Sequence, residues 1–168
     1  AIQAEMALHT EQLNAHVLGV VMDARGIYMA KDAAAAEPFA KGMEARFPQM
    51  RSLAAELTRI APESQRETTR AIAQAVDGFI GFRTETIRLG REVSTAAANA
   101  QGNNEANRAN RKTLNDLLVS FVKATEGYSQ ALEGEAETFA KLAQIGLPIT
   151  LGVMLLGSLL IALFYAQR

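Results

Sequence analysis

The sequence predicts an all-α protein whose last helix continues into a membrane. Hydrophobic residues recur at three- and four-residue steps along nearly the whole chain, whereas the strict alternation of a β-strand is almost absent. Residues 142–166 carry no charged side chain, and roughly 20 apolar residues suffice for a helix to span a bilayer. We therefore expect a polar domain over residues 1–141, a transmembrane helix over residues 142–166, and the start of the cytoplasmic side at residues 167–168.

The first predicted helix covers residues 2–31 and carries two neighbouring apolar stripes. One stripe has the spacing of a helix that packs into a bundle, and it consists of Leu13, Val17, Val20, Ala24 and Ile27. The second stripe contains Leu18, Val21, Met22 and Met29, and the first three are the residues that we expect at a dimer interface. Because one stripe suffices to face the core of the monomer, we expect the other to contact a second copy of the chain in a homodimer.

The second predicted helix begins at a proline. A turn over residues 31–37 precedes Pro38, which suits the first turn of a helix because its missing N–H is not needed there. The helix then runs to Ile60. We expect Pro48 to kink or split it, since an internal proline removes a hydrogen bond and clashes with the preceding turn.

The third helix begins near Pro62 and continues to about Asn99, and residues 101–104 end it and cap the next helix. The fourth helix keeps its apolar seam from Leu114 to Leu142 and runs straight into the predicted membrane span. The sequence thus predicts an antiparallel up-down-up-down four-helix bundle whose last helix is continuous with a transmembrane helix. It has no initiator Met and no basic leader, so we expect it to be a piece of a longer protein with a further span upstream.

Composition and motifs exclude several classes of function. The net charge of −1 gives no reason to expect nucleic acid, and the absence of cysteine rules out disulfides and cysteine-bound zinc. No catalytic motif such as G-x-S-x-G or H-E-x-x-H is present, so we do not expect an enzyme. Two histidines seven residues apart, His9 and His16, do not by themselves build a metal or haem site, and we expect no cofactor.

Arg83 occupies a position where the apolar pattern of the third helix calls for a hydrophobic residue. The residues that share its stripe are Ile72, Val76, Phe79, Ile80 and Ile87. A buried charge is costly unless it is paired, and the planar guanidinium suits a carboxylate. We therefore expect Arg83 to bind the carboxylate of a small organic acid. The alternatives are that it pairs with a carboxylate of the protein, such as Asp23 or Asp116, or that its long side chain carries the charge out to solvent.

Counting from the distal turns at about 1.5 Å per residue places His16 and Ser120 near the height of Arg83, where they would complete a ligand pocket. A protonated His16 would donate to an anion and make binding depend on pH, because the ordinary pKa of histidine is about 6.5. The alternative is a core histidine whose hydrogen bonds are satisfied. A second basic set lies nearer the distal end, with surface ion pairs and capping as the alternative to a ligand; it contains Arg25, Arg91, Arg108 and Arg111.

Two stretches of the sequence resemble a known family of receptors. The run from Val20 to Met29 and the run from Asn103 to Arg111 are similar to the periplasmic sensor of alphaproteobacterial methyl-accepting chemotaxis proteins, which have a four-helix-bundle ligand-binding domain. The resemblance implies a homodimer in the bacterial inner membrane, with its sensor in the periplasm. It also implies that Arg25 is the nearest counterpart of the arginines that bind the ligand in enteric relatives.

The resemblance further implies how such a receptor works. Its sensor binds a small attractant or repellent, directly or through a periplasmic binding protein, and the last helix moves like a piston. Two alternatives stay open from the sequence. The same domain could be the input of a sensor kinase or of a cyclic-dinucleotide enzyme, or it could be a membrane-tethered bundle that only dimerises or binds another protein.

Overall fold

The computed structural model describes residues 2–127, 130–131, 134, 140–142 and 144, and no strand occurs among them. Four helices are bounded as α1 Ile2–Met29, α2 Ala33–Ile60, α3 Glu63–Glu92 and α4 Thr95–Gly102. Residues 105–127 form a further helical stretch. The prediction of an all-α protein is confirmed. The chain divides into two compact units, residues 1–126 and 127–168.

The start of α2 differs from the prediction. Asp32 caps this helix, because its side chain accepts a hydrogen bond of 2.8 Å from the N–H of Ala35, and α2 begins at Ala33 instead of at Pro38. An aspartate N-cap followed by a run of alanines, the best helix formers, is the reason that the helix extends upstream of the proline.

Pro48 does not split the second helix, so that part of the prediction is wrong, whereas a kink there stays a prediction. α2 continues without interruption from Ala33 to Ile60 and contains Pro48 in its interior. The proline is exposed, whereas Phe47 and Met50 beside it are buried in the core. Packing of these large side chains on both sides of the proline offsets the cost of about 3 kcal/mol that an internal proline carries.

The third helix ends earlier than predicted. α3 stops at Glu92 instead of near Asn99, and the short helix α4 follows after a break at Val93 and Ser94. The hydroxyl of Ser94 accepts a hydrogen bond of 3.0 Å from the N–H of Ala97 and so caps α4. A serine before an alanine-rich run is an N-cap signal, and it explains why a new helix begins there.

α1 and α2 pack side by side in opposite directions, and absent side chains on glycines allow their close approach. A Cβ atom on Gly19 would collide with the guanidinium of Arg46. A Cβ atom on Gly26 would enter the ring of Phe39, and one on Gly42 would collide with the carboxylate of Asp23. As the residue number rises along α1 it falls along α2, which makes the pair antiparallel.

One hydrophobic core unites these elements. The first stripe predicted on α1 is buried throughout, which confirms that it faces the core. α2, α3, α4 and the 105–127 stretch all contribute further buried residues, the largest of which include Met43, Leu57, Ile72, Phe79, Leu114 and Phe121.

Within the described residues, no helix has both the length and the apolar character needed to cross a membrane. The predicted span, residues 142–166, lies outside the described part of the chain except at positions 142 and 144. The span and its continuity with the fourth helix therefore stay predictions.

Candidate functional site

Arg83 is the only charged side chain that is fully buried among the described residues, with 3% of its surface exposed. α3 positions it between Ile80 and Ile87, which are also buried, as the apolar pattern of that helix indicates. A charge in this position is costly to desolvate, so its contacts decide what the site can do.

The guanidinium of Arg83 has one hydrogen-bond partner and no carboxylate partner in the described part of the chain. Its Nη1 donates to the hydroxyl oxygen of Tyr28 at 2.8 Å, and its central carbon lies 5.2 Å from the centre of the Phe79 ring. Its Nε is buried and donates to no group in that part of the chain. Asp23 and Asp116, the two carboxylates predicted as alternative partners of Arg83, have other partners. Oδ2 of Asp23 lies 3.5 Å from Nε of Arg46, and Oδ2 of Asp116 lies 2.5 Å from Nζ of Lys112.

The surroundings make this arginine electrostatically unsatisfied. Burial lowers the pKa of Arg83, the neighbouring Tyr28 raises it, and the positive charge of Arg111 lowers it again. An arginine stays protonated in proteins, so the consequence is a buried cation that faces a second cation. An anion placed between Arg83 and Arg111 would be stabilised by both.

Arg83 opens into a pocket of about 270 Å³. The pocket lies where α1, α3, the end of α4 and the 105–127 stretch meet, and its lining residues are Val21, Arg25, Tyr28, Arg83, Gly102, Asn103 and Arg111. Three of them are arginines and none is acidic. The structure thus brings the predicted site residues Arg83 and Arg25 together, and it adds Tyr28 and Arg111.

A second pocket of about 390 Å³ adjoins the first and shares Val21, Arg25 and Arg111 with it. Its further lining residues are Asn14, Val17, Leu18, Arg108, Lys112 and Asn115, again without a carboxylate. Together the two pockets form a basic groove between α1 and the 105–127 stretch.

Polar contacts at the end of α4 fix one wall of the first pocket. The Gln101 side chain donates to the carbonyl of Phe82 at 3.1 Å and accepts from the hydroxyl of Thr86 at 2.7 Å, which ties α4 to α3. The Asn104 side chain accepts from the N–H of Asn107 at 2.8 Å and caps the 105–127 stretch. Residues 101–104 thus cap the next helix as predicted, but the helix that they end is α4 and not the third helix.

His16 and Ser120 do not join Arg83 in its pocket. His16 lines a separate space of about 380 Å³ against α2, with Gln12, Gln49, Ser52 and Leu53. Ser120 is exposed. The expected common height is wrong, because Arg83 contacts Tyr28, which lies well beyond His16 along α1. That height assumes a third helix that runs to Asn99, whereas α3 ends at Glu92.

The predicted dimer residues differ from one another in exposure. Leu18 and Met22 are 58% and 62% exposed, as a surface that contacts a partner requires. Val21 is half-buried, packs against the core and lines both basic pockets. Its side chain therefore belongs to the groove of the monomer as well as to the stripe predicted for the dimer.

A second cluster contains residue types that bind metal ions in other proteins. The ligand atoms of Glu5, His9 and Glu56 lie within 4.8 Å of one another. Arg59 already donates to both carboxylate oxygens of Glu56, so a metal ion would have to displace this arginine. The sequence did not indicate the cluster, because Glu56 comes from α2 and the other two from α1.

No protein-family model matches the chain, and neither the curated proteins nor the solved structures include a match to it.

Proposed function

We propose that this chain is the sensory domain of a transmembrane chemoreceptor and that it binds a small organic acid in the pocket at Arg83. One observation carries the proposal: a buried arginine without a carboxylate partner among the described residues lines a pocket that has no acidic wall. A ligand carboxylate supplies the missing anion.

The distribution of ion pairs supports an anionic ligand. Six of the described arginines, at positions 46, 51, 59, 66, 88 and 91, pair with a carboxylate. Among those described that do not, Arg25, Arg83, Arg108 and Arg111 line the basic groove, and only Arg70 lies elsewhere. Unpaired cations thus cluster where a ligand would neutralise them.

Signal transmission follows from the origin of the lining residues. Arg83 comes from α3, whereas Arg111 comes from the 105–127 stretch, which leads toward the predicted membrane span. An anion between the two replaces their repulsion with attraction and favours one position of the last helix of a four-helix bundle. A tenfold preference requires about 1.4 kcal/mol, less than a strong charge-assisted hydrogen bond supplies.

The proposed setting is the bacterial inner membrane, with the domain in the periplasm and the chain in a homodimer. A kinase input domain would use the same pocket, so the proposal concerns ligand binding and not the output enzyme.

Calorimetric titration tests the proposal. The full 168-residue chain, kept in solution with a neutral detergent, is titrated with a panel of small organic acids and amino acids. We expect saturable binding of a carboxylate, lost in Arg83→Ala and kept in Arg70→Ala, which removes an unpaired arginine outside the groove. Absence of binding across the panel, or equal binding by Arg83→Ala, contradicts the proposal; circular dichroism checks that each variant is folded.

A second candidate function is a module that binds a partner chain without any small molecule. The exposed apolar residues Leu18, Met22 and Met29 on α1 favour it. It predicts that Leu18→Glu with Met22→Glu abolishes association in analytical ultracentrifugation, whereas Arg83→Ala leaves association unchanged.

A further inference from the structure

The Tyr28 hydroxyl accepts a hydrogen bond but donates none within the described part of the chain. Its oxygen accepts a hydrogen bond from Nη1 of Arg83 at 2.8 Å. No described residue accepts a hydrogen bond from the hydroxyl proton. A tyrosine hydroxyl is both a donor and an acceptor, so its donor role stays open here.

The surroundings of this hydroxyl direct its proton toward a ligand. Tyr28 is half-buried and lines the first pocket beside Arg25, Arg83 and Arg111. The backbone of Gly102 packs directly against the hydroxyl on another side. None of the lining side chains is a carboxylate that would accept the proton.

Arginine makes this hydroxyl a better donor. A hydroxyl that accepts a hydrogen bond from a cation is polarised, which strengthens the hydrogen bond that it donates. An anion in the pocket therefore meets an ordered relay, in which Arg83 donates to Tyr28 and Tyr28 donates to the anion.

We infer that Tyr28 is a ligand-binding residue and that its O–H donates directly to the carboxylate held by Arg83. The inference rests on the proposed function, because it assigns a second anchor to the same pocket. It gives the site its selectivity for an acceptor group, since a neutral ligand without an acceptor oxygen leaves both the Tyr28 hydroxyl proton and the buried Nε of Arg83 without an acceptor.

The test separates donation from mere support of Arg83. Tyr28→Phe removes the hydroxyl and keeps the ring, and we expect it to weaken carboxylate binding by the full chain about tenfold, the typical value of one charge-assisted hydrogen bond. Thr58→Val is the matched control, because it removes a half-buried hydroxyl whose partner among the described residues is the Ala54 carbonyl of its own helix.

Replacement of Tyr28 by 3-fluorotyrosine distinguishes the two roles by the direction in which the carboxylate affinity changes. Fluorination makes the phenol more acidic, hence a stronger donor and a weaker acceptor, with almost no change in shape. At a pH that keeps it protonated, tighter carboxylate binding than in the unaltered chain supports direct donation. Weaker or unchanged binding overturns it, because a tyrosine that only accepts from Arg83 loses strength on fluorination.

The remaining outcomes are equally distinct. If Tyr28→Phe binds the carboxylate as well as the unaltered chain does, the inference fails and the proposed function stands. If no carboxylate binds the unaltered chain, the proposed function fails and the inference fails with it.

Discussion

Gly102 lies against the hydroxyl of Tyr28 so closely that a Cβ atom at position 102 would overlap the tyrosine ring. Gly102 is buried at the end of α4, and Tyr28 lies near the end of α1. The absence of a side chain at this glycine is therefore what allows Tyr28 to reach Arg83. A single substitution at position 102 tests this arrangement without altering any polar group.

We predict that Gly102→Ala destabilises the protein by about 1 to 3 kcal/mol, the usual cost of forcing atoms into a packed site. The matched control is Gly81→Ala, also a helical glycine, where a Cβ atom meets nothing within 4 Å. At this exposed position alanine stabilises by about 0.5 to 1 kcal/mol. Urea unfolding measures both changes, and equal effects of the two substitutions contradict the packing described here.

We predict that Arg108→Gln weakens carboxylate binding and flattens its dependence on salt. Arg108 lines the second pocket of the basic groove and is exposed, so its contribution is a long-range attraction that salt screens. Arg70→Gln is the control for the loss of one positive charge elsewhere. Titrations at low and high sodium chloride measure the slope; equal slopes for the two variants show that the groove does not attract the ligand.

We predict that mild acidification lowers the free energy of unfolding because of His16. Burial lowers the pKa of His16, and the positive charge of Arg46 lowers it further. Because the unfolded chain binds the proton more readily, stability falls as the pH drops through about 6.5 and levels off below the lowered folded pKa. His16→Gln should remove that part of the loss in urea midpoints measured from pH 7.5 to 5. Gln49→Ala, in the same pocket, should retain it; an unchanged profile in His16→Gln contradicts the assignment.

Arg91 should matter more for stability than Arg88. The Nε of Arg91 donates to Glu37 at 2.8 Å and its Nη1 donates to Glu44 at 2.6 Å, so it links α3 to α2. The partners of Arg88 among the described residues, Glu85 and Glu92, both belong to α3. We expect Arg91→Ala to lower the urea midpoint more than Arg88→Ala does, with the difference shrinking in high salt. The reverse order would mean that the α2–α3 link contributes nothing.

The sequence predicted the burial of Arg83 but not its neighbours, and the reason is geometric. A charged residue on an apolar stripe is visible in the spacing of α3 alone. Its level relative to α1 depends on where each helix ends, and Ser94 shifts that end by about two turns. The sequence did not single out Tyr28 or Gly102 as site residues. A tyrosine near a helix end and a glycine before a turn are both common, and neither by itself indicates a ligand site.

The predicted boundaries of the second helix were wrong for a related reason. Pro38 and Pro48 are strong local signals for a helix start and a break, yet α2 contains both. Asp32 and the alanines after it extend the helix upstream, and the buried Phe47 and Met50 keep it continuous. The residues next to a proline in the sequence do not reveal such tertiary packing.

The glycine contacts between α1 and α2 restrict how this domain deforms. Arg46, Phe39 and Asp23 each lie over a glycine of the opposite helix, so sliding one helix along the other would drive these side chains against ordinary residues that carry a Cβ atom. These contacts oppose translation of α1 along α2. We therefore expect a ligand-driven movement in the first unit to fall on α3, on α4 or on the 105–127 stretch.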